Sequence, residues 1–351
     1  MDTGVMHQIS GTGRDVGWIE VETIVDTTIP DVNVVRIAVD LACRAPSVHN
    51  SQPWQWTYSD GRLDLHTDRG RLLASTDPKG RQLVVSCGAA LHHLETALTA
   101  LRWTPDIERL PDGLHSGHLA TIRFHHDAHP RSHDFDLLSA IRHRYSDRRP
   151  FGPLSVKTPL PRALPDMVRA RGAHLTVLPP EARATLAEAT KITAAARRYD
   201  TAYHTELHWW AGHSIPSGGI PPNALATAEN LSRVDIGRGF PAGLDNDSAE
   251  EIDRSTVLVV STDGDVRTDW LRAGEALSAV LLEATVEGLA TCPLTHMTEL
   301  RQSRELIREL LPDRGFPQAL IRLGVTDKKL TPRQTPRRAT DSVLSVVPHP
   351  R

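Results

Sequence analysis

Between Val32 and Ala45 apolar side chains recur at helical spacing, with Val35, Val39 and Ala42 on one face. Pro46 must end that helix, because its ring excludes helical backbone at the residue before it. A loop over 45–53 follows. Trp54–Tyr58 and Arg62–His66, in which Leu63 and Leu65 alternate with polar residues, predict a pair of strands. The broad apolar face of Leu83, Ala90, Leu91, Leu94 and Leu98 predicts a long helix from about Arg81 to Arg102, and His118–Phe124 predicts another strand. An amphipathic helix over Phe135–His143 leads into an Arg-rich turn, and Pro150–Pro165 reads as a linker or a loop wrapped over the surface. The earlier plan then returns. Thr256–Ser261 predicts a strand, Asp269–Gly288 a helix and Gln318–Val325 a strand.

The return is visible in the residues themselves. Cys87-Gly88-Ala89-Ala90-Leu91 matches Ala273-Gly274-Glu275-Ala276-Leu277 at the openings of the two buried helices, which brings Thr99 and Thr285 into register. Ala120-Thr121-Ile122-Arg123 likewise matches Ala319-Leu320-Ile321-Arg322. A helix followed by a strand with an internal Ala-x-Ile-Arg is therefore present twice, which predicts an internal duplication. The expected units are an extension over 1–29, a first half over 30–130 and a second over 131–347.

Composition narrows the class. A chain of 351 residues exceeds the usual single domain, so two domains or one fused double unit are expected. A formal charge of −3 gives no electrostatic case for nucleic acid or for an acidic membrane as partner. Cys43, Cys87 and Cys292 are an odd number without redox or zinc spacing, so a reducing, cytoplasmic setting is expected. Residues 1–29 lack a basic start followed by an apolar core, so neither signal peptide nor membrane anchor is expected there. Gly11, Gly13 and Gly17 have the wrong spacing for a dinucleotide loop, and no apolar strand precedes them. Histidines are abundant, but His204 and His208 flank Glu206 without forming His-Glu-x-x-His. His92 and His93, or His125 and His126, are adjacent and cannot share a face, so no metal site is expected.

The residues with chemical potential fall in four segments. In Ala45-Pro46-Ser47-Val48-His49-Asn50-Ser51-Gln52-Pro53-Trp54 two prolines limit backbone freedom, so Ser47 and Asn50 can offer hydrogen bonds to a heteroaromatic edge at little ordering cost. Capping a turn is the other use of the same side chains. Trp54 is expected in the core. Arg144-Tyr145-Ser146-Asp147-Arg148, followed by Phe151, supplies two guanidinium groups and a hydroxyl, a set suited to a dianionic phosphate or to a solvated basic face. Gly288-Leu289-Ala290-Thr291-Cys292-Pro293-Leu294-Thr295 follows a helix end marked by Gly288, and Cys292, with no His and acid at a telling spacing, reads as a small buried hydrophobe. Thr335-Pro336-Arg337-Arg338, with Asp341 after it, is a basic segment near the end.

The first of these segments closely resembles the loop that contacts the flavin ring in nitroreductases, and residues 31 to 347 resemble the Acg subfamily. The resemblance implies an α+β, nitroreductase-like fold in which two tandem half-units mimic a homodimer. It implies FMN as cofactor, with Pro46, Ser47, His49, Asn50 and Gln52 at the ring, and Arg144, Ser146 and Arg148 on the phosphate and ribityl chain. Pro293 and Leu294 are implied to pass the flavin N5 region, and Arg337 and Arg338 to close over the phosphate. In homodimeric nitroreductases the loop comes from one subunit and the other three elements from its partner. Here the first half carries only the loop and the second half only the other three, so a monomer with a single FMN is expected.

The implied activity is transfer of two electrons from NAD(P)H through FMN to a nitroaromatic or quinone, a chemistry that needs no protein acid or base. No catalytic side chain is therefore singled out. Tyr203 to Pro222 is expected to cover the flavin and Asn223 to Gly243 to form a lid, giving a lid region over 203–243; an ordinary surface insertion is the other reading. A closed lid would instead suit an FMN-sequestering protein with little turnover. Many members of the resembled subfamily belong to hypoxia or dormancy responses, which implies a stress setting.

Overall fold

The computed structural model describes residues 29–126, 129–212, 217–241, 243–244, 252–326 and 335–347; the expected extension, apart from Ile29, lies outside the described residues. The first half contains helix α1 (Val32–Ala42), strands β1 (Trp54–Ser59) and β2 (Arg62–Thr67), helix α2 (Arg81–Ala100), and strands β3 (Trp103–Arg109) and β4 (His118–His126). Helices α3 (Ser132–His143) and α4 (Leu164–Arg169) then precede β5 (His174–Val177). An excursion of three helices follows, α5 (Arg183–Arg197), α6 (Thr201–Trp210) and α7 (Ala228–Ser232). The chain closes with β6 (Thr256–Thr262), α8 (Arg267–Val286), β7 (Ala290–Leu294), α9 (Arg301–Glu309), β8 (Phe316–Gly324), α10 (Thr340–Val343) and β9 (Leu344–Val346).

The duplication is written in the sheet topology. One sheet has the order β3-β4-β2-β1, the other β7-β8-β6-β5, and in each every adjacent pair among these strands is antiparallel. The register agrees as well: Leu63 faces Ile122 in the first sheet and Leu258 faces Ile321 in the second, so the two Ala-x-Ile-Arg segments occupy matching positions. The fold is thus α+β with two tandem half-units. The strand β9 breaks the symmetry by joining the edge of the first sheet, parallel to β1, with Leu344 opposite Trp56.

Several elements escape the periodicity of the sequence. In β3 buried and more exposed positions alternate from Trp103 onward, but Pro105 and three charged residues break the strand signal; the strand survives because it lies on a sheet edge, where a missing N–H is tolerated. Pro293 is accommodated the same way in the edge strand β7. The Pro-rich stretch after Pro150 wraps rather than links: Phe151 is buried, and Gly152 exchanges hydrogen bonds with Val325 at 2.8 and 3.1 Å.

The two halves meet where α2 crosses α8. Both helices are buried on most sides, and the glycines matched in sequence, Gly88 and Gly274, sit at the crossing. A Cβ on Gly88 would lie 2.1 Å from the Leu271 carbonyl oxygen, and one on Gly274 would lie 2.0 Å from that of Val85. Only glycine permits this backbone-to-backbone approach. Around it, Arg109 grips the buried Glu275 through Nε and Nη2 at 2.8 and 2.7 Å, and the Nδ1 atoms of His92 and His93 each lie 2.8 Å from Ser278 Oγ. No helix among the described residues is long and apolar enough to cross a membrane.

The crossing makes a direct prediction. Gly88→Ala or Gly274→Ala forces backbone apart in a packed interior and should destabilise by about 3 kcal/mol or more. Gly239→Ala, whose Cβ would meet nothing within 4 Å, should change stability by no more than about 0.5 kcal/mol. Thermal and urea unfolding of the three variants checks both expectations.

Candidate functional site

The loop between α1 and β1 adopts a backbone that few sequences tolerate. His49, Asn50 and Gln52 have φ of 50°, 54° and 50°, a left-handed region that costs a non-glycine residue roughly 1–3 kcal/mol. Hydrogen bonds within the loop hold it there: Gln52 N–H donates to Ser47 Oγ at 3.0 Å, and Asn50 N–H to the Ser47 carbonyl at 3.0 Å. Ser86 of α2 supports it from below by accepting from Val48 N–H at 3.1 Å. Trp54 at its end is buried in the first half's core.

This geometry turns the loop toward a cavity with about 870 Å³ of empty space, partly open to solvent. Pro46, Ser47 and His49 line one wall. The second half supplies the opposite wall through Ser146, Arg148, Cys292, Pro293 and Leu294, while α2 and α8 contribute Gln82, Val85 and Leu277. A cover formed by Ile220, Leu231, Val234, Arg238 and Phe240 completes it. Residues 213–216 and 242 of the expected lid region lie outside the described residues.

The remaining site candidates have other neighbours. Asn50 Nδ2 donates to the carbonyls of Gly219 (2.8 Å) and Pro336 (2.9 Å), and its Oδ1 accepts from Arg337 Nη1 at 2.9 Å. Gln52 Nε2 donates to the Ser217 carbonyl at 3.2 Å, and its Oε1 accepts from Arg338 N–H at 2.8 Å. These two amides therefore clip the cover and the C-terminal segment to the loop, and neither lines the cavity. Arg338 is committed elsewhere too: Nη1 donates to Gln52 O, Trp54 O and Asp68 Oδ2 at 3.1, 3.2 and 3.1 Å, and Nη2 to Ser342 O at 3.1 Å.

Arg144 and Arg337, neither of which lines the cavity, are only partly satisfied: Arg337 Nη1 donates to Asn50 Oδ1 at 2.9 Å and to the Pro336 carbonyl at 3.1 Å, while the Arg144 side chain has a single long bond among the described residues. Their Nη2 groups converge on one acceptor, the Arg44 carbonyl, at 3.5 and 3.3 Å. Arg144 Nε and Nη1 and Arg337 Nε are buried without a partner among the described residues. Burial, and then the neighbouring Arg337 charge, pushes Arg144 down to about 9; burial, and then the charge of Arg44, pushes Arg337 down to about 10. His93 Nε2 is also buried without a partner, and burial followed by the charges of Arg144 and Arg337 keeps its imidazole neutral.

Around the cover, Arg148 Nη1 donates to the Ala224 carbonyl at 3.1 Å and its guanidinium lies 5.1 Å from the Phe240 ring centre. Phe240 stands edge-on to His49 at 5.8 Å. Burial, then Arg238 and Arg148, holds His49 well below the usual imidazole range, so it is neutral, with both ring nitrogens unpartnered among the described residues. His296 is neutral for the same reason, pushed to about 3 by burial and Arg238; Thr190 Oγ1 lies 3.1 Å from its Nε2. Arg238 itself is tied to Glu299, and its Nη1 donates to Tyr203 Oη at 2.8 Å.

Sequence reasoning missed His296, Arg238, Phe240, Gln82 and Ser86 as lining residues. Gln82 and Ser86 did leave a signal, two polar side chains one turn apart in the otherwise apolar stretch 82–91 of α2. The pair Arg238 and Phe240 left little, since a glycine-rich stretch has no periodicity to place it.

Comparison with known proteins gives the setting. No family model matches the chain. An uncharacterized protein of Mycobacterium tuberculosis is 42% identical over 320 residues, covering 89% of this chain and 93% of its own. "Putative NAD(P)H nitroreductase acg" of the same organism is 42% identical over 323 residues, covering 91% of this chain and 97% of its own. Among solved structures, a nitroreductase with bound FMN from Bacteroides fragilis has 16% identity and a TM-score of 0.35, covering 58% of this chain and 95% of that chain. An FMN- and NADPH-dependent nitroreductase from sphigopyxis sp. strain HMH has 18% identity and a TM-score of 0.35, covering 59% and 96%. Likeness to the acg relative runs through both half-units rather than one motif, and on that ground the chain belongs to the Acg-type nitroreductase family.

Proposed function

We propose that this protein is an FMN-dependent NAD(P)H oxidoreductase of nitroreductase type, which passes two electrons to a small nitroaromatic or quinone and works as a monomer with one site per chain. The observation that carries the cofactor is the Arg144–Arg337 pair. Arg144 and Arg337 share the Arg44 carbonyl, and although Arg337 Nη1 also donates to Asn50 Oδ1, three of the pair's nitrogens go unanswered; an uncompensated buried charge costs on the order of several kcal/mol. A phosphate monoester offers two negative charges and enough acceptor oxygens to answer all three. The residues present therefore fit FMN, whose phosphate Arg144 and Arg337 would hold.

When bound, the flavin supplies a two-electron, hydride-accepting centre. The chain supplies placement. Ser146 and Arg148 would meet the ribityl chain, and Pro46, Ser47, His49, Pro293 and Leu294, from opposite halves, would flank the ring. Val85 and Leu277 exclude water from the floor. Neutral His49 and His296 offer hydrogen bonds without adding positive charge. Asn50, Gln52 and Arg338 act one step back, by holding the loop, the cover and the C-terminal segment together. The names of the relatives support NAD(P)H as the donor. Three buried free thiols suit a reducing cytoplasm.

A second reading is favoured by the cover. Phe240 and Ile220 stand in the cavity wall, and Asn50, Gln52 and Arg148 all donate to the covering segment. A cover clipped at three points suits a protein that holds FMN and turns over slowly.

Two experiments test these readings. Fluorescence titration should give one FMN per chain, with affinity steady from about pH 7 to 8.5 because the phosphate is already dianionic there. Arg144→Met should weaken binding about 10- to 100-fold at neutral pH. Two flavins per chain, or a site completed by a second chain, would overturn the single-site proposal. In stopped-flow mixing with NADPH, bleaching of the flavin within seconds supports the oxidoreductase, and none over minutes supports the holding protein. Phe240→Ala should accelerate bleaching if the cover limits it.

A further inference from the structure

A second cavity, with about 940 Å³ of empty space partly open to solvent, lies at the openings of the two central helices and shares no lining residue with the first. Leu83 and Val84 line it from α2 and Gly80 from just before that helix, while Arg267 and Trp270 line it from α8 and Val266 from just before it. Its charge is one-sided. Arg267, Arg69 and Lys79 face it, and none of the three has an ion-pair partner among the described residues. Asp265 is its single acidic lining residue among those described, and that carboxylate is spent. It accepts from Arg304 at 2.6 and 2.8 Å, from Trp270 Nε1 at 2.8 Å and from Gln318 Nε2 at 3.1 Å.

The duplication supplies an internal control for Arg267. It is the first residue of α8, as Arg81 is the first residue of α2. Arg81 is buried and answered across the half interface, by Gln318 Oε1 at 3.1 Å and Thr298 Oγ1 at 2.9 Å. In the other repeat Leu119 occupies the position of Gln318, immediately before Ala-x-Ile-Arg, and cannot accept a hydrogen bond. Arg267 Nε is left buried without a partner among the described residues, and the nearby Arg69 charge adds to the burial that depresses its pKa. Leucine in place of an amide has freed one arginine of the matched pair to face the cavity.

We propose that this cavity binds a small organic anion, a phosphate or sulfonate carried on a flat apolar ring. Arg267, Arg69 and Lys79 hold the charged end, and Trp270, Leu83 and Leu114 receive the ring.

The test is a fluorescence titration of the full chain with anilinonaphthalene sulfonate, which combines the two required features. Binding should be saturable, and adenosine monophosphate should displace the probe at lower concentration than inorganic phosphate, since only the nucleotide also offers a ring. Arg267→Glu should weaken the probe at least about tenfold. Lys79→Glu, on the exposed rim where folding is not at stake, should weaken it at least about fivefold at an unchanged thermal midpoint. A loss under about threefold in Lys79→Glu, or displacement of the probe by phosphate alone as readily as by the nucleotide, overturns the proposal.

Discussion

Two glycines, one in each half, let the central helices touch backbone to backbone, and the rest of the molecule is positioned from that contact. Close approach at Gly88 and Gly274 brings the first turns of α2 against α8, which sets the α1–β1 loop of one half opposite β7 of the other. A side chain at either position would open the interface and with it the cavity. The energetic basis is ordinary close packing, where interiors yield little to added volume.

A duplicated chain begins with two equivalent junctions, and small substitutions have made them unequal. Arg322 is buried, paired to Asp253 at 2.5 Å and part of the cavity wall, whereas its counterpart Arg123 is exposed and pairs with Glu108. Where the first repeat has Ala89, the second has Glu275, whose buried carboxylate holds Arg109 across the interface. The same helix crossing thus supports a cavity on one side and an ion pair on the other. Arg81 and Arg267 diverge by the same logic, through the acceptor that faces each.

Around the cavity the chain accumulates cost. Three left-handed residues in the loop and two poorly answered guanidinium groups are each unfavourable alone. The compensation comes from distant segments: Asn50 and Gln52 bind the cover and the Pro336 region, Arg338 binds three first-half acceptors, and β9 extends the first sheet. The cover and C-terminal segment therefore hold a loop that its own residues would not keep in place.

Much of this was legible in the chain. Hydrophobic spacing locates α2, α8 and the strands β1, β2, β4, β6 and β8, and the Gly88 and Gly274 segments match in sequence alone. Ser47 and Arg148 were legible as site candidates because a Pro-Ser loop and an Arg-rich turn are chemically conspicuous. Edge strands with proline and the glycine-rich cover were not, because neither carries a clean period. The repeated elements and the groups able to meet an anion or a ring are readable from the order of residues alone. The destinations of the side chains come from the fold: Asn50 and Gln52 go to the cover, Arg338 to β1, Arg144 and Arg337 to one shared carbonyl, and Arg337 to Asn50 as well. Periodicity reports which face of an element is buried. The direction of a side chain in a left-handed loop, and the partner it finds, depend on segments far away in the chain.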